Sequence, residues 1–520
     1  MKLHKISILS ALLLFLFSLS CTKLDEELRG TLTEEQAQGV ADVNVLMQAV
    51  YNSLRPYQSN ELTFGLEEVS SDEMVVPTRG SDWDDNGRWR VLHLHSWNPE
   101  HDLITNTFNS LLQGVFNATN VLTFSPSAQQ AAEARFVRAF IMFTVLDLYG
   151  QVPYRQPGEN LLNPPQVLKD IDAWNFILSE VNEIRDQLPD GPNYKANKDA
   201  ARVLLMKLYL NKGTYINRQN PSFDPADMAQ VNALADEIIT SGRYSLSTSV
   251  FDNYAPNNDA ISKENIFTNQ NIGGVQGGDV RSRFNMTAHY NQYPGGWNGF
   301  TTLAEVYDKF GPTDTRRSQD YPGMTDVSGM KAGMQLGQQI GPRRDANNNI
   351  IQPIQLVELK DRRGNPLAFT REVNIIESGN DIEIAGIRVQ RYIVDYANGG
   401  GQGNFANNDY VFYRYADVLL MKAEALLRSG NAGEALTLVN PLRTQRGATP
   451  LTSLDLNELL DERQRELYWD GWRRQDLIRF GKFLEPTSVR TTVSDPKYLY
   501  FPIPSGALAV NPNLTQNPGY

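Results

Sequence analysis

Apolar residues recur at three- and four-residue spacing through most of the first half of the chain. Val40, Val43, Met47, Val50 and Leu54 form one such stripe, and Phe108, Leu111, Val115, Thr119 and Leu122 form another. Ser125-Pro126 predicts an N-cap followed by proline at the first helical position, in a helix that Gly150 closes. The helical period returns from Val167 to Leu188 through Ile171, Trp174, Leu178 and Val181, and stops at Pro189. Asp224-Pro225 opens a further helix that ends near Gly242. Asp455 with Glu458 reads as a capping box.

One helix is repeated. Val203–Lys207 and Val418–Lys422 are identical pentapeptides within the longer echo of Ala201–Leu210 by Ala416–Ala425, and Ala134–Phe140 is a looser copy. Gly213 and Gly430 are expected to end the two full copies, and a second helix follows each. Helix, glycine and second helix, with Ala423, Ala425 and Ala435 allowing close approach, match tetratricopeptide-type hairpins. Such hairpins bury their faces against neighbours and make a scaffold.

Between these helical parts the pattern changes. From about 255 to 408 the chain is rich in Gly, Asn, Pro and Gln, with short alternating stretches at Ile350–Lys360 and Ile387–Ile393 that suggest strands. The fold class expected is therefore mainly α: a tetratricopeptide-like hairpin scaffold carrying a loop-rich irregular insertion with short strands. The scaffold spans about 31–250 and 410–485, and a C-terminal tail spans 486–520, all within one domain of 31–520. Loops held on rigid elements are where recognition tends to sit.

The first residues belong to export rather than to the fold. Lys2, His4 and Lys5 precede an apolar run, Ile6 to Leu19, that is shorter than the ~18 to 20 residues a membrane-crossing helix needs. A signal peptide of 1–20 is the reading. Ser20-Cys21 resembles the end of a lipobox, although Ser18 stands where leucine is usual. Cys21 is the only cysteine, so no intramolecular disulfide can form, and a lipid on its sulfur would leave no free thiol. Two or more acyl chains anchor stably. A lipidated linker, 21–30, carries the acidic Asp25, Glu26 and Glu27. Net charge is −12, or −14 once Lys2 and Lys5 leave with the signal segment, which argues against nucleic acid as a partner.

Five ordered segments carry a family resemblance. Arg414–Ala425 resembles the signature helix of the SusD/RagB family of Bacteroidota outer-membrane lipoproteins. Glu133–Gly150 with Val152-Pro153, Val439–Gly447, and Glu462–Leu467 with Gly471–Leu477 are similar to its other helical segments. The tail, Phe501–Pro504 with Asn511–Tyr520, is the most specific match. The acidic run after Cys21 also resembles a surface-export tag. The resemblance implies a nutrient-binding lipoprotein on the cell surface, tethered to the outer membrane through Cys21. It acts as the hinged lid of a SusC-like, TonB-dependent transporter, and its ligand is usually an oligosaccharide. It implies no catalysis, cofactor or metal. Peptide binding, as in some RagB-like members, and a periplasmic repeat scaffold remain open alternatives.

A sugar site needs aromatic faces to stack on and planar polar groups to bond hydroxyls. Ser71–Trp89 supplies both, and with Trp97 it places three of the seven tryptophans among charges and turn formers rather than in an apolar period. Asp72, Arg79, Trp83, Trp89 and Trp97 are its candidates. His289–Phe300 is the second candidate segment: its glycines would let a turn present Trp297 to solvent, with Tyr293 and Asn298 beside it. A surface glycosidase using Asp72, Asp82 or Asp84 is the rival from another class. Asp82, Asp84, Asn86 and Gly87 match the opening of an EF-hand loop, but His93 stands where its bidentate glutamate belongs. His93, His95 and His101 lack the spacing of a zinc site. Glu462, Arg465 and Glu466 share one helical face and are expected to pair with Arg473, Arg474 or Asp476.

Overall fold

The computed structural model describes residues 42–398 and 405–520. The signal segment, Cys21 and the linker 21–30 lie outside the described residues, as does Val40. The helical scaffold comprises α1 (Val43–Asn52), α2 (Asp102–Val121), α3 (Ala128–Tyr149), α4 (Asp170–Ile184), α5 (Lys198–Ile216), α6 (Pro225–Thr240), α7 (Tyr415–Arg428), α8 (Ala432–Gln445), α9 (Leu456–Leu467) and α10 (Arg473–Arg479). Successive helices pack as hairpins: α2 on α3, α3 on α4, α4 on α5, α5 on α6 and α7 on α8. The two repeat copies lie in α5 and α7, and α6 packs against α7, so the early and late hairpins form one stack. Every residue of α3 from Phe136 to Tyr149 is buried. That explains its lack of a polar stripe: a helix surrounded by others has no wet face.

Local signals set most helix ends, with three departures. Ser127, not Ser125, caps α3, because Ser127 and Gln130 exchange both bonds of a capping box. The stretch from Val167 starts as a strand, Gln166–Lys169, paired antiparallel with Gln151–Tyr154, and α4 begins only at Asp170. Gly213 does not end α5, which runs on to Ile216; a Cβ there would sit 1.9 Å from the Ser222 carbonyl oxygen. Its absent side chain lets the chain after α5 fold back against the helix. Gly150 and Gly430, by contrast, take positive φ just beyond α3 and α7. Asp224 caps α6 with Pro225 at its first position, and Asp455 caps α9.

The insertion is closed at its base by Asn265–Asn269 pairing antiparallel with Tyr410–Arg414. Between them lie a three-stranded sheet (Ser318–Gln319, Ala332–Gln335, Arg388–Gln390) and a hairpin of Ile340–Pro342 with Leu356–Glu358. The early loop docks onto this region: Thr78–Arg79 pairs parallel with Ile376–Glu377, and Val75 bridges to Thr301.

The acidic face of α9 reaches across the molecule instead of to its neighbour. Glu466 meets Arg316, Arg414 and Arg446, and Glu462 meets Arg316, Arg443 and Arg465. Arg473 pairs with Asp72, and Asp476 pairs with Arg463 and Arg479. Burial opposes ionisation of Glu462, but the three arginines outweigh it and hold the carboxyl at about 2. These are structural ions rather than poised acids.

Candidate functional site

The last part of the His289–Phe300 segment folds back on the short helix Ser282–Asn285. The Trp297 N–H donates to the Asn285 carbonyl, and the Gly299 and Phe300 N–H groups both donate to that of Met286. Gly296 makes this possible, because a Cβ there would lie 2.3 Å from the Ala288 carbonyl oxygen. Asn298 takes φ +53°, a left-handed conformation that asparagine tolerates better than most residues. His289 pins the other half of the turn. Its Nδ1 accepts from the Asn291 N–H, so Nε2 carries the proton and donates to Glu383 at 3.1 Å. Burial pushes the imidazole down to about 4, against the pull of Glu383.

This turn, the Ile340–Pro342/Leu356–Glu358 hairpin and Tyr396 enclose a cleft of about 830 Å³. Its aromatic rings are Tyr290, Tyr293 and Tyr396, and its cations are Arg343, Arg344 and Lys360. Val357 and Leu359 supply apolar surface, and Asn291, Gln292 and Asn348 supply amides. Tyr293 and Tyr396 stack at 5.3 Å with their planes 23° apart, and the Tyr396 hydroxyl donates to the Tyr293 carbonyl. The Arg344 guanidinium lies 5.5 Å from the Tyr293 ring. Tyr290 donates its hydroxyl to Asp82 at 2.7 Å, and burial together with that carboxylate pushes its pKa up to about 12. Arg362 covers the Tyr290 ring at 3.9 Å while pairing with Glu383 and Asp82.

The early loop is the brace under this cleft and not its aromatic face. Trp89 is 1% exposed and donates its indole N–H to Asp85; Trp97 is 2% exposed and donates to the Tyr520 hydroxyl. Neither offers a face to a ligand. Trp83 is half-buried, packs edge-on to Phe300 and donates to the Trp297 carbonyl. Arg79 is buried and bonds the carbonyls of Ile382 and Ala385. Asn298 is buried too, bonded to the Glu383 carbonyl and to Arg388. Trp297 is half-buried against the core and does not line the cleft. Asp72 is held by two bonds from Arg473 and lines a separate cleft. Of the residues singled out from sequence, the structure brings Tyr293 to the cleft. Tyr396, Arg343, Arg344 and Lys360 went unnoticed; the adjacent arginines after Pro342 were the available signal.

The acidic early loop is also fully engaged. Asp84 pairs with Arg90 at 2.6 Å, while Asp82 and Asp85 serve Tyr290 and Trp89. His93, His95 and His101 each bond separate backbone carbonyls, of Met74, Ser70 and Arg88. Among the described residues no cluster of three or more His, Cys, Asp or Glu side chains could hold a metal ion.

A profile of the SusD family matches residues 263–492, which include the insertion, the cleft and helices α7 to α10. The chain is 26% identical over 498 residues to the starch-binding protein SusD of Bacteroides thetaiotaomicron, covering 88% of this chain and 85% of that protein. Its fold matches a SusD superfamily protein from Parabacteroides distasonis at a TM-score of 0.71, with 18% identity over 94% of this chain and all of the other. It also matches surface glycan-binding protein A from B. thetaiotaomicron, solved with laminarihexaose, at a TM-score of 0.67. There identity is 18%, covering 91% of this chain and 98% of that one. These matches show that the chain is similar to SusD family proteins in sequence and shares the fold of the SusD superfamily structures.

Proposed function

We propose that this chain is a surface glycan-binding lipoprotein that holds an oligosaccharide in the Tyr293 cleft and acts as the lid of a SusC-like, TonB-dependent transporter. The observation that carries the reading is the cleft itself. Stacked tyrosines, half-exposed and flanked by amides and cations, suit the C–H faces and hydroxyls of a sugar. Two relatives, by name a starch-binding and a glycan-binding protein, support the same class of ligand.

The test is calorimetric titration of the purified protein with an oligosaccharide panel. Tyr293→Ala should weaken binding by ~2 kcal/mol, about thirtyfold, as loss of a central aromatic anchor does. Its melting temperature should barely move, because the ring is half-exposed. Unchanged affinity would remove the cleft from consideration. The tether rests on Cys21, and no helix among the described residues is long and apolar enough to cross a membrane. Cys21→Ala should release the protein from membranes; fatty-acid labelling that persisted in this variant would refute the anchor.

A further inference from the structure

The cleft has an unusual charge balance for this molecule. The chain is acidic overall, and many of its buried arginines pair with carboxylates, although Arg79, Arg218 and Arg388 bond backbone carbonyls instead. Even Arg362, beside Tyr290, is matched by Glu383 and Asp82. Arg343, Arg344 and Lys360 are different: all three line the cleft, and among the described residues none forms an ion pair. Arg344 is held in place by donating to the Asn348 carbonyl at 2.9 Å, and it lies near the Tyr293 ring. Three uncompensated cations in a concave site make a locally positive field on an acidic protein.

The amides point the same way. A neutral sugar would draw on amide donors for its hydroxyls, yet these are largely used inside the protein. Asn291 Nδ2 donates to the Lys360 carbonyl, and Gln292 Nε2 donates to Gln335. Gln292 Oε1 accepts from the His289 N–H. The Asn348 amide and the Tyr293 hydroxyl remain for neutral groups, and beside them stand the guanidinium and ammonium groups, which bond anionic oxygens better than neutral ones.

Building on the glycan reading of this cleft, we infer that its ligand is an acidic oligosaccharide, with Arg343, Arg344 and Lys360 pairing with carboxylate or sulfate groups while Tyr293 and Tyr396 supply the stacking surface. The experiment titrates the protein with oligogalacturonates and their methyl-esterified, neutral counterparts, and with sulfated galactan oligosaccharides and their desulfated counterparts. The carboxylate and sulfate arms separate the two anion types.

At least one acidic ligand should bind roughly tenfold more tightly than its neutral counterpart, given ~0.2 to 1 kcal/mol for each exposed pair across two or three pairs. The preference should shrink as salt rises from about 0.01 M to about 1 M, where the screening length falls to ~3 Å. The Arg344→Gln, Lys360→Gln double variant should lose most of that preference without a change in melting temperature. If neutral ligands such as laminarihexaose bind as well as acidic ones, and the double variant binds them normally, acid selectivity is wrong. The cleft then still stands as a glycan site provided Tyr293→Ala abolishes that binding. Acidic glycans that bind equally to Tyr293→Ala would overturn both readings. So would salt-sensitive binding of an acidic peptide with no glycan bound.

Discussion

His289 carries a prediction that belongs to single residues. The imidazole is buried, accepts from the Asn291 N–H and donates to Glu383, with Arg362 and Arg388 nearby. Its pKa in the fold is about 4, against an ordinary value near 6.5. Between these values the unfolded chain binds the proton and the folded one does not, so stability is lost as pH falls from ~6.5 to ~4. His93, pushed down to about 4 by burial and then by Arg490, acts in the same direction. Asp409 and Glu73, both raised to about 7 chiefly by burial, act oppositely, because their protonated forms are favoured in the fold. The difference between parent and His289→Gln therefore isolates one group. Denaturant unfolding across this pH range should show the variant's slope reduced by about one proton; identical slopes would mean that His289 is already protonated in the fold. Residue-level reading from sequence failed in a related way at Trp89 and Trp97. Charged neighbours made them look wet, yet Asp85 is an internal partner for Trp89, and Trp97 finds Tyr520 at the far end of the chain.

Elements were legible where their signals are local. The stripes of α1 and α2, the proline start of α6 and the positive-φ glycines after α3 and α7 all depend on neighbours within a few positions. Errors arose where a distant segment competes. Val167 and Leu168 fit a helical period, but the strand Gln151–Tyr154 pairs with them first. Gly213 looked like a terminator because glycine often follows a helix; its actual role, admitting the Ser222 backbone, is visible only once the chain has folded back. The short strands of the insertion were legible as Leu356–Glu358 and Arg388–Gln390, but their partners were not. The cleft was half-legible for the same reason. Tyr293 lies in a segment whose composition announces a recognition loop, whereas Tyr396 and Arg344 reach it only through tertiary pairing.

At the scale of the molecule, the question is what holds a loop-rich insertion rigid on a helical stack, and α9 supplies the answer. Glu466 is fully buried and meets Arg316 from the insertion, Arg414 from the strand that closes it, and Arg446 from the end of α8. Arg414 and Arg446 also share Glu264, which leads into the opposing strand Asn265–Asn269. One carboxylate thus bonds groups from the insertion, from the strand that closes it and from the end of α8. Burial disfavours its charge, but the three arginines outweigh that and keep it ionised far below the ordinary carboxylate range. Replacing such a network by apolar residues can be neutral, but removing one member leaves buried cations uncompensated, at ~3 to 5 kcal/mol. Glu466→Ala is therefore expected to lower unfolding stability by that amount in denaturant titrations. Glu458, on the same helix, is the control: it is partly exposed and pairs only with Arg465, so Glu458→Ala should cost about 1 kcal/mol or less. If both variants lose equally little, the ladder is decorative, and the strand pair Asn265–Asn269 with Tyr410–Arg414 alone must hold the insertion in place. If Glu466→Ala loses several kcal/mol and also weakens glycan binding while Tyr293 is intact, the ladder is what keeps the cleft's walls in register.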